Sequence, residues 1–333
     1  MTAPTSSDNR ALADMPLLDA ETLKCPYHYD ATLRAEAPVY QDPTSGVYTV
    51  STYELVREVH KAPDVFSNEF ILALGSEEGM DPDILLAMKD TYQLGRGTLL
   101  TVDDPDHKGY RDNVKDFFLQ NNVAHYRPWI TEFAKRLVSE IPAGKPYNFI
   151  DGFSRPLPLS VIMHVLGIPL SMFDKAFRWT VANVEVLSQI ADKEALIAAH
   201  ASLKEEYDWF AQALEERRAN PKDDLISHVA HAEFNGRPMT LEEQLSHCTQ
   251  FLVAGNETTT ATIAEGVRQL CLNPEQEALV RADRSLIPNL VDESLRVATP
   301  TSNMWRMAKE DYTLGGVTIP KGSMVLLRYF SSF

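Results

Sequence analysis

Three groups of residues in this chain have types and spacings that can do chemistry. The first is "AGNETTT", Ala254 to Thr260, set in a stretch whose apolar residues recur with a helical period. On a helical wheel Leu252, Val253, Ile263, Val267 and Leu270 gather on one side, and Gly255, Thr258, Thr262 and Gly266 line another. A stripe of small residues lets a second body lie close against the helix, and the Thr258 hydroxyl, beside Glu257, can give and take hydrogen bonds there. The same stripe also suits a helix–helix crossing in which threonines bond back to their own carbonyls. The second group is Glu293 with Arg296, three apart in "ESLR". On a solvated face such a pair contributes about 0.2–0.5 kcal/mol. Buried among Leu290, Val291, Leu295 and Val297, it would cost on the order of 3–5 kcal/mol to lose one partner. The third group is cationic: His107 and Arg111, four apart, and Arg306 between Met304, Trp305 and Met307. An arginine among apolar residues either meets a buried anion or lies over the tryptophan face.

The elements that must carry these groups can be read from periodicity and turn signals. An amphipathic helix is expected near 18–35, then a hairpin in "APVYQDPTSGVYTVST" around its D-P-T-S-G turn. From Tyr53 to about Pro142 the pattern is mostly helical, broken by "YQLGRGTLLTVDDPD", whose acids and proline start the helix that holds His107 and Arg111 on one face. Three helical segments follow between Pro156 and Arg218, and the N-G of "EFNGRPMT" marks a tight turn. Thr240 with Glu243 forms a capping box at the head of a helix that runs to about Leu272, where "NPEQ" begins another. A shorter helix, "SLIPNLVDESLRVA", leads to an irregular "TPTSNMWRMAKED" and then to strands in "YTLGGVTIPKGSMVLLRYFSS". No repeat or low-complexity linker divides the chain, so the expectation is one mainly α domain with a minor β portion.

Composition narrows the function. The 333 residues are 44% hydrophobic, enough for a substantial core. A net charge of −16, from 31 basic and 47 acidic side chains, disfavours gripping nucleic acid or an anionic membrane. The first residues carry no basic segment followed by an apolar one, and no stretch approaches the roughly 20 apolar residues of a membrane span, so a cytoplasmic protein is expected. Cys25, Cys248 and Cys271 are far apart, with no C-x-x-C spacing, and are expected to be reduced and buried. The N-x-T match at Asn256 falls inside a helical period and is read as chance.

Taken together, the motifs resemble the cytochrome P-450 superfamily, the haem-thiolate monooxygenases, in order from about residue 20 to the last. "AGNET" resembles the oxygen-activation motif, "ESLR" the E-x-x-R helix, and "HKGYR" the H-x-x-x-R of the helix that approaches the haem propionates. "WRMAKEDYTLGGVTIPKG" resembles the strand that supplies another propionate arginine, with its hairpin. The resemblance implies a single P-450 domain over residues 1–333 with haem (iron protoporphyrin IX) as cofactor. It implies that His107, Arg111 and Arg306 hold the propionates, Ala254 and Gly255 lie over the ring, and Glu257 and Thr258 assist proton delivery. Glu293 and Arg296 would be structural. It further implies insertion of one oxygen atom from dioxygen into an apolar small molecule, with electrons from ferredoxin and ferredoxin reductase-type donors. Substrate contacts are expected from loops near 70–98 and 170–192 and from "TPTSNMW" after the E-x-x-R helix, and a terpenoid, steroid, fatty acid or polyketide could each be accommodated.

One element of the pattern is missing. The family's axial cysteine, whose thiolate favours O–O cleavage, lies in an F-x-x-G-x-x-x-C-x-G-like loop after a meander, and no such loop occurs here. None of the three cysteines has that context, so no metal ligand is assigned. Two readings follow: an incomplete copy of a bacterial-type monooxygenase, lacking the meander, cysteine loop and final helix, or a non-catalytic remnant that binds haem weakly or an apolar ligand.

Overall fold

The computed structural model describes residues 10–17, 19–70, 81–89, 91, 99–188 and 192–332. In chain order its helices and strands begin with α1 (Ala20–Lys24), α2 (Tyr27–Glu36), β1 (Val39–Gln41), β2 (Tyr48–Val50), α3 (Tyr53–His60) and β3 (Phe66–Ser67). Then come α4 (Pro82–Met88), α5 (Asp106–Lys115), α6 (Gln120–Val123), α7 (Arg127–Ser139), α8 (Pro156–Leu166), α9 (Phe173–Ser188), α10 (Lys193–Ala219) and α11 (Leu225–Ala230). A short hairpin, β4 (Glu233–Phe234) and β5 (Arg237–Pro238), precedes α12 (Leu241–Leu272), α13 (Pro274–Ala282) and α14 (Ile287–Ala298). The last elements are β6 (Asn303–Ala308), β7 (Tyr312–Leu314), β8 (Val317–Ile319) and β9 (Met324–Arg328). They form two compact units, one of residues 1–75 with 301–333 and one of residues 76–300.

The first unit is built on a five-stranded sheet in the order β1-β2-β9-β6-β3. β1 and β2 make the expected hairpin, pairing Val39 with Val50, and β9 joins β2 in parallel. Its turn is held by Asp42, whose Oδ1 accepts from the Thr44 and Ser45 amides while Oδ2 accepts from Leu17. Burial alone would raise the pKa of this carboxyl, but those backbone donors outweigh it and leave it below the usual range. Val50, Leu314, Ile319, Val325 and Leu327 are fully enclosed beneath the sheet. The segment read as irregular after Pro300 is the strand β6, because its Met-Trp-Arg-Met run pairs with both β9 and β3. The single helix expected near 18–35 is two helices, α1 and α2, since Pro26 cannot continue the first. Residue 18 lies outside the described residues.

The second unit is helical. α12 runs through it, in contact with α8, α9, α10, α11 and α14. Its start is the predicted capping box: Glu243 accepts from the Thr240 amide at 2.7 Å and Thr240 Oγ1 from the Glu243 amide at 3.2 Å. Glu243 also takes both Arg237 bonds and the Tyr110 hydroxyl, and these donors hold its carboxyl down at about 2. The N-G turn is real, with Asn235 and Gly236 both at positive φ, and it joins β4 to β5. The core is formed by Leu159, Met163 and Leu166 of α8 with Trp179, Phe210, Leu214, Leu252 and the α11 residues Leu225 and Ile226. Much of the stretch expected to contact substrate, 71–80, 90, 92–98 and 189–191, lies outside the described residues.

Candidate active site

The site motif sits mid-way along α12, held from two sides. Toward α8, Gly255 has no room for a side chain: a Cβ there would lie 2.8 Å from Ile162 Cγ1. The glycine is thus used by the helix crossing. Farther on, Gly266 is pressed against Ser294 of α14 in the same way, at 2.6 Å. Toward α9, Asn256 is fully buried and donates to Thr180 Oγ1 at 3.0 Å. Ala254 is exposed, while Glu257 and Thr258 are half-buried. The Thr258 hydroxyl bonds the Ala254 carbonyl at 2.9 Å, and Thr262 repeats the pattern onto Thr258 O at 2.9 Å. The back-bonding threonines that the sequence allowed are therefore present, and Thr258 sits beside the Glu257 carboxyl in a helix whose buried faces are fixed by Ile162 and Thr180.

On α5, His107 faces Asp104 at 3.4 Å and Arg111 is exposed, with no described residue pairing with it. Arg306 lies on β6 of the first unit. It donates to the adjacent Trp305 carbonyl and approaches His60 Nδ1 at 3.5 Å, while the Nε2 of that imidazole meets the Tyr329 hydroxyl at 3.0 Å. Burial and then the Arg306 charge push the His60 pKa down. Neither His60 nor Tyr329 was singled out in the sequence, where nothing links them to Arg306 before the sheet brings β9 and β6 together.

Glu293 and Arg296 form the expected ion pair on α14, at 2.7 and 2.6 Å, with Glu293 58% and Arg296 50% exposed. It is a surface pair, because Val291 and Leu295 beside it also face outward. Cys248 is fully enclosed, and burial, then the nearby Glu206 carboxyl, push its thiol strongly up. Cys25 and Cys271 are exposed, correcting the expectation that all three are buried; one lies at the end of the five-residue α1 and the other in the last turn of α12.

The ordered motifs and this long central helix are matched by comparison with known proteins. Residues 43–331 fit the family model described as Cytochrome P450. The chain belongs to the cytochrome P450 family. It is 31% identical to Cytochrome P450 109 of Bacillus spizizenii over 98% of this chain and 76% of that protein. It is 30% identical to the linalool 8-monooxygenase of Pseudomonas putida over 96% of this chain and 78% of that one. Among solved structures, CYP109Q5 from Chondromyces apiculatus shares 31% identity at a TM-score of 0.80, covering 96% of this chain and 78% of that one. P450BioI, solved with a fatty-acid-ligated acyl carrier protein, gives a TM-score of 0.81 at 26% identity, covering 94% of this chain and 79% of its own.

The family's cofactor is haem, and its members are monooxygenases. The donor set here suits the anionic edge and one open face of such a group. Arg111 offers a guanidinium that pairs with no described residue, and Ala254 presents a small side chain. The thiolate ligand is not supplied by the cysteines present: a thiol as buried as Cys248 resists ionisation, and the other two are surface groups at helix ends.

Proposed function

We propose that this chain is a haem-dependent P450 monooxygenase that acts on an apolar small molecule, with Glu257 and Thr258 moving protons and ferredoxin and ferredoxin reductase-type proteins supplying electrons. The observation that carries the reading is the placement of Glu257 and Thr258, half-buried and adjacent on α12, beside the exposed Ala254. Haem, when bound, supplies the iron at which dioxygen is reduced. The chain's own residues do the rest. His107 and Arg111 on α5 would hold a carboxylate as charge-assisted pairs, and the family resemblance gives Arg306 the same role. Glu257 takes protons from water and Thr258 passes them on, its hydroxyl donating to Ala254 O between transfers and free to rotate toward a water. Relatives whose names give terpene or steroid substrates support the apolar class.

The test is product formation under labelled dioxygen. The protein, supplied with haem, a small-molecule thiol as sulfur donor, a ferredoxin, its reductase and a panel of terpenes, steroids and fatty acids, should place one labelled oxygen in a product. Glu257→Gln and Thr258→Ala should divert electrons to peroxide or slow turnover by about 10²-fold, the usual range for a lost proton-transfer group. Product with unlabelled oxygen would overturn the reading.

A further inference from the structure

We infer that Asn256 is a positioning residue that fixes the orientation of the Glu257 carboxylate by tying it to Thr180 on α9. This rests on the reading of Glu257 as a proton carrier. The hydrogen-bond pattern allows only one arrangement. The Thr180 hydroxyl, fully buried, donates to the Phe177 carbonyl at 2.9 Å, so its one proton is committed and its oxygen can only accept. The atom of Asn256 that faces it at 3.0 Å must therefore be the amide nitrogen. The second N–H of that nitrogen points to Glu257 Oε1 at 3.3 Å. The amide oxygen is left to accept from the Thr260 hydroxyl at 3.5 Å. Turning the amide over would set its oxygen against both the Glu257 carboxylate and the Thr180 lone pairs, two repulsions at a fully buried amide.

The consequence concerns direction. Asn256 has no exposed surface, so it cannot itself touch substrate or solvent. It acts by holding Oε1 of Glu257 toward α9, which leaves Oε2 as the oxygen that exchanges protons. Gly255 on the preceding residue locks the same turn from the α8 side, so the carboxylate is borne on a helix segment that neither neighbour lets rotate.

The experiment compares Asn256→Leu, Thr180→Val and Thr180→Ser in the full chain. The first readout is the side-chain carboxyl carbon resonance of Glu257, assigned by its loss in Glu257→Gln. The second is the peroxide-to-product ratio and its solvent deuterium isotope effect in the haem-loaded protein with its electron donors. Asn256→Leu and Thr180→Val should both shift the Glu257 resonance and raise the peroxide ratio severalfold, whereas Thr180→Ser, which keeps the hydroxyl, restores the wild-type values. An unmoved Glu257 resonance in a folded Asn256→Leu or Thr180→Val protein overturns the proposal. Should Asn256→Leu fail to fold, the near-isosteric Thr180→Val decides it. If Glu257→Gln leaves the peroxide ratio unchanged, the proton-carrier reading of Glu257 fails, while the resonance shift still reports separately on the tether.

Discussion

Asn183 on α9 donates to Glu206 Oε2 on α10 at 2.8 Å, and the other carboxyl oxygen of Glu206 has no hydrogen-bond partner among the described residues. The side chain is fully enclosed, and desolvation pushes its pKa up from 4.5 to about 7, only partly offset by the Asn183 bond. The folded protein thus keeps a proton that the unfolded chain releases at lower pH. Stability is lost as pH rises from about 4.5 to about 7, by up to about 3 kcal/mol at the top of that window. Glu206→Gln still accepts the Asn183 bond and carries no charge. Urea unfolding of the two proteins should agree below pH 4 and diverge above pH 7 with the variant more stable; parallel curves across that range would show that Glu206 does not titrate there.

Gly255 and Ile162 make a second pair with a measurable coupling. A Cβ at Gly255 would come within 3.0 Å of three Ile162 side-chain atoms. Gly255→Ala should cost about 1–3 kcal/mol as an overpacked contact, despite alanine's better helix propensity. Ile162→Ala creates space at the same spot, so the double variant should be more stable than the sum of the two single changes predicts. Additive losses in denaturant unfolding would mean that the glycine serves something other than this crossing.

These two cases show why the site was only partly legible in the sequence. Helical period, the Thr240 capping box and the Asn235–Gly236 turn depend on neighbours within a few residues, and each is where the pattern placed it. The order of the motifs carried the family. What Gly255 touches, however, depends on Ile162, more than ninety residues away, and the partner of Asn256 is Thr180 on another helix. Periodicity read β6 as irregular, and only the family resemblance named a strand there, because its Met-Trp-Arg-Met run gains strand character from pairing with β9 and β3, not from alternation of its own. The ion pair of Glu293 and Arg296 was plain from spacing, but its exposure was not, since that depends on what packs over Val291 and Leu295.

In the first unit, Arg328 grips Asp30 through two bonds of 3.0 Å, with both side chains at least 95% enclosed. Burial raises the Asp30 pKa, and the Arg328 charge and hydrogen bonds pull it back only in part. Arg328→Met leaves a buried carboxyl alone and should lose about 3–5 kcal/mol. Adding Asp30→Asn removes the orphan charge and should recover part of that loss. The check is unfolding at pH 7 and again at pH 4: the single variant should be relatively less impaired at the lower pH, where the isolated Asp30 is readily protonated, and equal impairment at both would refute the assignment.

Arg111 and Lys108 lie on the same helix and give a direct test of the anionic edge of the haem site. Lys108 is already engaged with Asp112 at 2.7 Å, whereas no described residue pairs with Arg111. A guanidinium that meets a carboxylate contributes about 1.5–3 kcal/mol, and exposure moves the effect toward the lower end. Arg111→Ala should therefore weaken haem binding about tenfold, read from the Soret absorbance as haem is titrated into the haem-free protein. Lys108→Ala removes the same charge from the same helix and should leave the affinity unchanged. Equal weakening by both would mean that only the overall positive field of α5 matters, and no weakening by either would remove Arg111 from the carboxylate-binding set.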